Sequence, residues 1–154
     1  MQDELRNKAR HVFIGYDSRE HIPFKVCSHS ITRRSSLPVE VTPIYHKTLR
    51  HASMFNRPWR IDEEGQYWDD VDGKPFSTEF SHSRFLVPEL ARRNNLSGWV
   101  LFCDSDFLFL SDVCKVFEYC NDDYAVMCVK HNYNPEESIK MDGMLQQNYN
   151  KKLW

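Results

Sequence analysis

The sequence predicts an α/β fold with a mostly parallel sheet flanked by helices. Three observations predict it: a strand–helix–strand start, a long apolar run near residue 100, and a length of 154 residues. Strands joined through a helix run parallel, and strands buried on both faces of a parallel sheet form nearly continuous apolar runs. The length matches one domain of about 100–200 residues, so we expect a single domain over residues 1–154.

The strand–helix–strand start occupies residues 11–45. Residues 11–16 predict the first strand and residues 39–45 the second. Between them, residues 20–34 predict a helix, because apolar positions recur there at helical spacing: Phe24, Cys27 and Ile31. Pro43 lacks a backbone donor, so we expect the second strand near an edge of the sheet.

The middle of the chain lacks a clear period. Residues 47–76 predict a long irregular loop, which is uncommon in a compact domain unless the loop has a function. Residues 77–93 predict a helix kinked at Pro88. One stripe of that helix is expected to face inward: Phe80, Arg84, Val87 and Ala91.

The second half predicts a buried strand over residues 100–110, interrupted by two aspartates. A short helix to residue 120, capped by Ser111 and Asp112, and a strand over 124–129 are expected to follow. From residue 133 to 154 we find no further strand pattern. We take this fading as a sign of an incomplete fold that continues in a longer chain.

Composition and charge exclude several classes of protein. The net charge is −2, with 20 basic and 22 acidic residues, so the basic excess typical of nucleic-acid or anionic-membrane binders is missing. No run approaches the ~18 apolar residues of a membrane span, and the charged N-terminus lacks a signal-peptide pattern. The cysteines number five, and no two of them have the C-x-x-C spacing. Both observations argue against a disulfide framework and a zinc site. We expect reduced thiols and a cytoplasmic location.

The strongest chemical signal is Asp104-Ser105-Asp106 within the apolar run. Carboxylates two residues apart on a strand point to the same side. Two charges among apolar residues repel each other and lose hydration unless a cation compensates. Oxygen ligands without thiolates or imidazoles favour Mg²⁺ or Mn²⁺, ions that often bind substrate phosphates as well. The alternative is that both aspartates simply end a strand and face water.

Two further signals point to a phosphate-bearing ligand. Arg84 on the inward stripe requires an anion, which is either the aspartate pair or a phosphate gripped through two nitrogens; a purely structural ion pair is the alternative. Gly15, Tyr16 and Asp17 lie at the carboxyl end of the first strand, where ligands bind in open α/β sheets. Asp17 could accept bonds from a ribose or base and Tyr16 could stack on the base, although a strand-ending aspartate is also common in turns.

The order of these motifs resembles the family 8 type glycosyltransferases. The matching segments follow one another at residues 12–17 (VFIGYD), 83–88 (SRFLVP) and 104–106 (DSD). The arginine-bearing segment, about twenty residues before the Asp-x-Asp, makes the match more specific than the acidic motif alone. The resemblance covers about residues 11–132, and residues 140–154 look like its continuation.

The resemblance implies a GT-A fold and Mn²⁺- or Mg²⁺-dependent transfer of a sugar, usually from a UDP-linked donor, with retention at the anomeric carbon. It implies that Asp104 and Asp106 bind the metal. The implied nucleotide-sugar-binding residues are Gly15, Tyr16, Asp17, Arg84, Asp104 and Ser105. Such enzymes take a third metal ligand, a histidine, from a later segment, so the chain is expected to be the N-terminal part of a longer catalytic domain.

Two alternatives from other functional classes remain open. A haloacid-dehalogenase-type phosphatase also places Asp-x-Asp after an apolar strand, but there the motif usually opens the domain, whereas 103 residues precede Asp104 here. A non-catalytic nucleotide-binding fragment would keep the ligand contacts without turnover.

Overall fold

A parallel three-stranded sheet forms the centre of the structure, a computed structural model that describes residues 9–129. In chain order, the strands and α-helices are β1 (Arg10–Gly15), α1 (His21–Arg34), β2 (Val39–Ile44), α2 (His46–His51), β3 (Trp59–Ile61), β4 (Tyr67–Asp69), β5 (Pro75–Phe76), α3 (Val87–Arg93) and β6 (Val100–Cys103). The central sheet has the order β2-β1-β6, and both neighbouring pairs are parallel. The predicted α/β class, with a parallel sheet flanked by helices, is therefore confirmed.

Two apolar clusters pack on opposite faces of this sheet. Alternate residues of β1 point to opposite faces: Val12 and Ile14 pack with Cys27 and Ile31 of α1, whereas Phe13 packs with residues of α2 and α3. The helix predicted for residues 20–34 is confirmed as α1, preceded by a 3-10 turn at Ser18–Glu20.

Pro43 lies on β2, opposite Ile14 of β1. Within residues 9–129, β2 pairs with β1 alone and forms one edge of this sheet. The expected edge position is confirmed, and it suits a residue that has no backbone N–H to donate.

The prediction of an irregular loop over residues 47–76 was wrong. This stretch completes α2 and then forms a second sheet, in which β3, β4 and β5 pair antiparallel in that order. We call it the small sheet. Trp59, Tyr67 and Phe76 hold it together, with ring centroids 5.0 to 5.8 Å apart. Its strands contain only two or three residues, too few to show an alternating pattern.

The helix predicted for residues 77–93 begins ten residues later than expected. Turns cover residues 77–82, a 3-10 helix follows at Ser83–Leu86, and α3 starts at Val87. Pro88 sits in the first turn of α3 and does not kink a longer helix. Its missing N–H has no partner to lose there, which is why proline is tolerated at helix starts.

The strand predicted for residues 100–110 ends at Cys103, just before the aspartates. The four residues of β6 do contact both apolar clusters, through Leu101 on one face and Val100 and Phe102 on the other. Beyond them the chain leaves the sheet, and Phe107, Leu108 and Leu110 are more than half exposed. The apolar run thus predicted correctly that the strand packs on both faces, but only Cys103 of its four residues is buried and the others are partly buried; for the continuation, the predicted burial was wrong.

The last two predicted elements differ in their outcome. The helix expected up to residue 120 is present as a 3-10 helix over Val113–Tyr119, and the Asp112 carboxylate caps it by accepting a hydrogen bond from the Cys114 N–H. The strand expected over residues 124–129 is absent. Val126 and Val129 are more than 70% exposed, because no strand among residues 9–129 pairs with this segment.

The chain falls into two compact units, Met1–Cys120 and Asn121–Trp154, so the single-domain expectation stays a prediction. Every helix and strand named above lies in the first unit. Expectations for residues 1–8 and 130–154, including the continuation of the family resemblance, lie outside the described residues. Across residues 9–129, no helix has the length and apolar character that crossing a membrane would need.

Candidate functional site

The carboxyl ends of β1 and β6 bring the two sequence motifs together. These strands are parallel neighbours, and Ile14 lies opposite Cys103. The chain therefore leaves the sheet side by side at residues 15–17 and 104–106. In an open α/β sheet, this edge is where ligands bind. We call these carboxyl ends of the strands the sheet edge, which is distinct from the lateral edge of the sheet at β2.

Gly15 is required by the close approach of Phe80. A Cβ built on Gly15 would lie 2.5 Å from Cγ and 2.6 Å from Cε2 of the Phe80 ring, far inside the normal contact distance. Phe80 is 1% exposed and also contacts the ring of Phe102. The glycine thus makes room for an aromatic ring, and its predicted contact with a nucleotide-sugar stays a prediction.

Arg84 lies on this aromatic floor and pairs with Asp104. Its guanidinium carbon is 5.0 Å from the ring centroid of Phe80 and 5.6 Å from that of Phe102. Its Nη1 is 3.2 Å from Oδ1 of Asp104. An inward arginine was expected to meet either the aspartate pair or a phosphate, and here it meets the aspartate. Its Nε is buried without a hydrogen-bond partner among residues 9–129.

Two carboxylates share this part of the sheet edge. Burial raises the pKa of Asp104 above its ordinary value, the Arg84 guanidinium opposes that rise, and the charge of Asp106 adds to it. The Asp106 side chain is exposed. Asp104 therefore has a destabilised negative charge beside a second one, an arrangement that an additional cation would relieve.

Ser105 faces away from solvent. It is fully buried, and its hydroxyl donates a 2.5 Å hydrogen bond to Oε2 of Glu20, just before α1. This bond fixes the turn that carries both aspartates. The structure gives Ser105 a positioning role, and its predicted contact with a nucleotide-sugar stays a prediction.

Asp17 is also completely buried, with both carboxylate oxygens engaged. Oδ1 accepts bonds from the backbone and Nε of Arg19, and Oδ2 accepts bonds from Nη2 of Arg19 and the backbone N–H of Glu79. Burial alone would raise the Asp17 pKa, but the hydrogen bonds from Arg19 and Glu79 lower it overall. The carboxylate therefore ties the end of β1 to residue 79, and its predicted ribose or base contact stays a prediction.

Tyr16 belongs to an aromatic group where β1 and β2 end. Its ring centroid lies 4.2 Å from that of Tyr45 and 5.3 Å from that of Phe24. Its hydroxyl is 3.1 Å from Nδ1 of His21. Tyr16 is partly exposed and Tyr45 is 38% exposed, which leaves aromatic surface at the sheet edge on which a planar base can stack.

The donor atoms at the sheet edge fit a hard divalent cation. Asp104 and Asp106 offer carboxylate oxygens, the ligands that Mg²⁺ and Mn²⁺ prefer. Residues 9–129 contain no group of three or more His, Cys, Asp or Glu side chains that could hold a metal ion. Two carboxylates still suit Mg²⁺ in particular, since this ion commonly keeps waters and takes its remaining ligands from substrate phosphates.

A buried polar cluster beside the site was missed by sequence reasoning. Glu79 accepts hydrogen bonds from the Ser18 hydroxyl at 2.6 Å and from the Tyr67 hydroxyl at 3.4 Å. His46 Nε2 lies 3.7 Å from Oε2 of Glu79, and burial lowers the His46 pKa. Because these residues come from separate elements, no local motif marks them. The cluster attaches the small sheet to the sheet edge.

Comparison with known proteins gives one named similarity. The chain is 45% identical to Protein CDI of Arabidopsis thaliana over 147 residues, which cover 96% of this chain and 51% of that protein. The chain therefore spans about half the length of this curated relative. No family model matches the chain, and no solved structure matches it.

Proposed function

We propose that this chain forms the donor-binding part of a metal-dependent glycosyltransferase with a GT-A fold. The donor is a nucleotide-diphosphate sugar, with UDP-sugars first among the candidates. The observation that carries the proposal is the meeting of Tyr16 and the Asp104–Asp106 pair at one sheet edge, with Arg84 against Asp104. The chemistry of these groups supports a ligand with a flat base at one end and a diphosphate at the other.

Each part of the ligand has matching residues. The exposed aromatic surface of Tyr16 and Tyr45 suits the base. The exposed part of the Arg84 guanidinium, whose side chain is 30% exposed, suits a phosphate oxygen. Asp104 and Asp106 would hold Mn²⁺ or Mg²⁺, which when bound offsets the negative charge that develops on the departing diphosphate.

The surrounding residues shape the site. Phe80 and Phe102 form an apolar floor under Arg84, which excludes water from one side of the guanidinium and strengthens its attraction to an anion. Glu20 fixes the aspartate turn through Ser105. Such preorganisation lets a site stabilise charge without rearranging during the reaction.

We also propose that the protein works in the cytoplasm, which suits its thiols. Cys27, Cys103 and Cys114 are buried and unpaired by disulfides, as is usual in a reducing compartment. We propose the transfer of the sugar to an acceptor for the whole protein, of which this chain forms the donor-binding part.

Calorimetric titration of the chain with UDP, with and without Mn²⁺, tests the proposal. We expect binding that depends on Mn²⁺, and we expect Asp106→Asn to lose at least about tenfold of that affinity, because one of two charged metal ligands becomes neutral. Glu118→Gln is the matched control, since it neutralises an exposed carboxylate on the 3-10 helix at residues 113–119. Its affinity should equal that of the wild type.

Three results would contradict the proposal. A UDP affinity that is the same with and without Mn²⁺ would show that the site uses no metal. Equal losses in Asp106→Asn and Glu118→Gln would assign the effect to overall charge. Release of phosphate from p-nitrophenyl phosphate, with no binding of UDP, would favour a phosphatase.

A further inference from the structure

The contact between Arg84 and Asp104 engages a carboxylate that the proposed metal site would use. Nη1 of Arg84 lies 3.2 Å from Oδ1 of Asp104, and the two side chains are 30% and 37% exposed. The pair is thus partly shielded from water. In the free protein, the guanidinium acts as counter-ion to one of the two carboxylates that a metal would share.

Arg84 retains unused hydrogen-bonding capacity in this position. Its Nε is buried and has no partner among residues 9–129, although a guanidinium can donate five hydrogen bonds. Phe80 and Phe102 support the guanidinium plane but accept no ordinary hydrogen bond. The arginine is therefore held in place by stacking and one ion pair, while part of its donor set lacks an acceptor.

A divalent cation at the carboxylates would conflict with this arrangement. The cation would share the Asp104 carboxylate with the guanidinium, and two positive charges a few ångströms apart repel each other. A bound diphosphate resolves the conflict, because it supplies anionic oxygens to Arg84 and to the cation together. The charges of Asp104 and Asp106 then remain for the metal.

We propose that Arg84 is an exchangeable internal counter-ion, which neutralises Asp104 in the free protein and passes to the diphosphate when metal and nucleotide bind together. This inference rests on the proposed function and concerns its regulation. It means that Arg84 weakens binding of the metal alone and strengthens binding of the nucleotide. The site thereby disfavours a metal without its nucleotide, a property that two fixed carboxylates would not provide.

The test compares the wild-type chain with Arg84→Met, whose flexible side chain can still cover the aromatic floor. Free Mn²⁺ is counted by electron paramagnetic resonance during a titration without nucleotide, and UDP affinity is then measured at saturating Mn²⁺. We expect Arg84→Met to bind Mn²⁺ at least about threefold more tightly and UDP at least about tenfold more weakly than the wild type. Opposite signs are the signature, because a purely structural role would weaken both.

Arg92→Met is the matched control. Arg92 pairs with Glu89 on α3 and is 70% exposed, so this variant removes one positive charge and leaves Asp104 untouched. Comparable tightening of Mn²⁺ binding in both variants would attribute the effect to net charge and overturn the proposal. Unchanged or weaker Mn²⁺ binding in Arg84→Met would overturn it as well, and thermal unfolding of both variants identifies any loss of folding.

The outcomes separate this inference from the proposed function. Mn²⁺-dependent UDP binding by the wild type, with no tightening of Mn²⁺ binding in Arg84→Met, leaves the function standing and refutes the exchange. Tighter Mn²⁺ binding in Arg84→Met, with no UDP binding by either chain, supports competition for Asp104 and refutes both the function and the transfer to a diphosphate. Absence of Mn²⁺ binding in both chains without nucleotide refutes the exchange, and the proposed function is then decided by whether UDP binds in the presence of Mn²⁺.

Discussion

Replacing Gly15 by alanine tests how the floor of the site is built. The added methyl group would lie 2.5 Å from Cγ and 2.6 Å from Cε2 of Phe80, so the ring has to retreat by about 1 Å to reach ordinary contact distance. Phe80 is 1% exposed and has little free space around it. Overpacking of this kind costs about 1–3 kcal/mol, which lowers Tm by roughly 2–12 °C in a chain of this size.

The displacement also reaches Arg84, because its guanidinium lies over the Phe80 ring. We therefore expect Gly15→Ala to lower both the free energy of unfolding and the affinity for UDP with Mn²⁺. Urea unfolding followed by circular dichroism measures the first quantity, and calorimetry measures the second. Adding Phe80→Leu should recover part of the lost stability, so the two substitutions should be non-additive.

Gly65→Ala is the matched control for this prediction. Gly65 has φ +84°, and an added Cβ there meets no atom of residues 9–129 within 4 Å. Its cost arises from left-handed backbone strain of about 1–2 kcal/mol, and UDP affinity should not change. Wild-type stability of Gly15→Ala would refute the reasoning about Phe80. A double variant that loses as much free energy of unfolding as Gly15→Ala and Phe80→Leu lose together would refute it as well.

Two further predictions concern pH. Hydrogen bonds from the Ser36 side chain and from the backbone N–H groups of Cys114 and Ser36 lower the pKa of the Asp112 carboxyl to about 2. Asp112→Ala should cost about 1 kcal/mol near neutral pH, and its deficit in urea unfolding should shrink as the pH falls from about 4 towards 2. Burial lowers the pKa of His46 below 6.5, so the unfolded chain binds its proton more readily and wild-type stability should fall as the pH drops below about 6.5. His46→Phe should flatten that part of the profile, and an unchanged slope would contradict the burial of a neutral His46.

The central sheet could be predicted because its signals are local. The apolar spacing of Cys27 and Ile31 marks a helix, and the short joins on either side of it require parallel strands. The small sheet could not be found in this way, because two or three residues do not establish an alternating pattern. Its turns did leave a signal in Asp72-Gly73, a dipeptide that favours tight turns between strands.

Site residues could be predicted where their neighbours in the sequence make them unusual. Arg84 stands out as a charge among apolar positions, and Asp104, its partner in the structure, is one of the two anions expected for it, the other being a phosphate. The engagement of Ser105 by Glu20 links residues 85 positions apart, so no motif could reveal it. Asp17 is similar, because the backbone N–H that donates a hydrogen bond to its carboxylate belongs to Glu79, 62 positions away.

Crystals of the chain grown with UDP and Mn²⁺ give the most direct test of the central claim. Anomalous diffraction at the manganese edge locates the ion independently of any assumption about its ligands. We expect an anomalous peak between the carboxylates of Asp104 and Asp106, with the diphosphate in contact with the ion and with Arg84. An ion bound elsewhere, or UDP bound away from the carboxyl ends of β1 and β6, would contradict it.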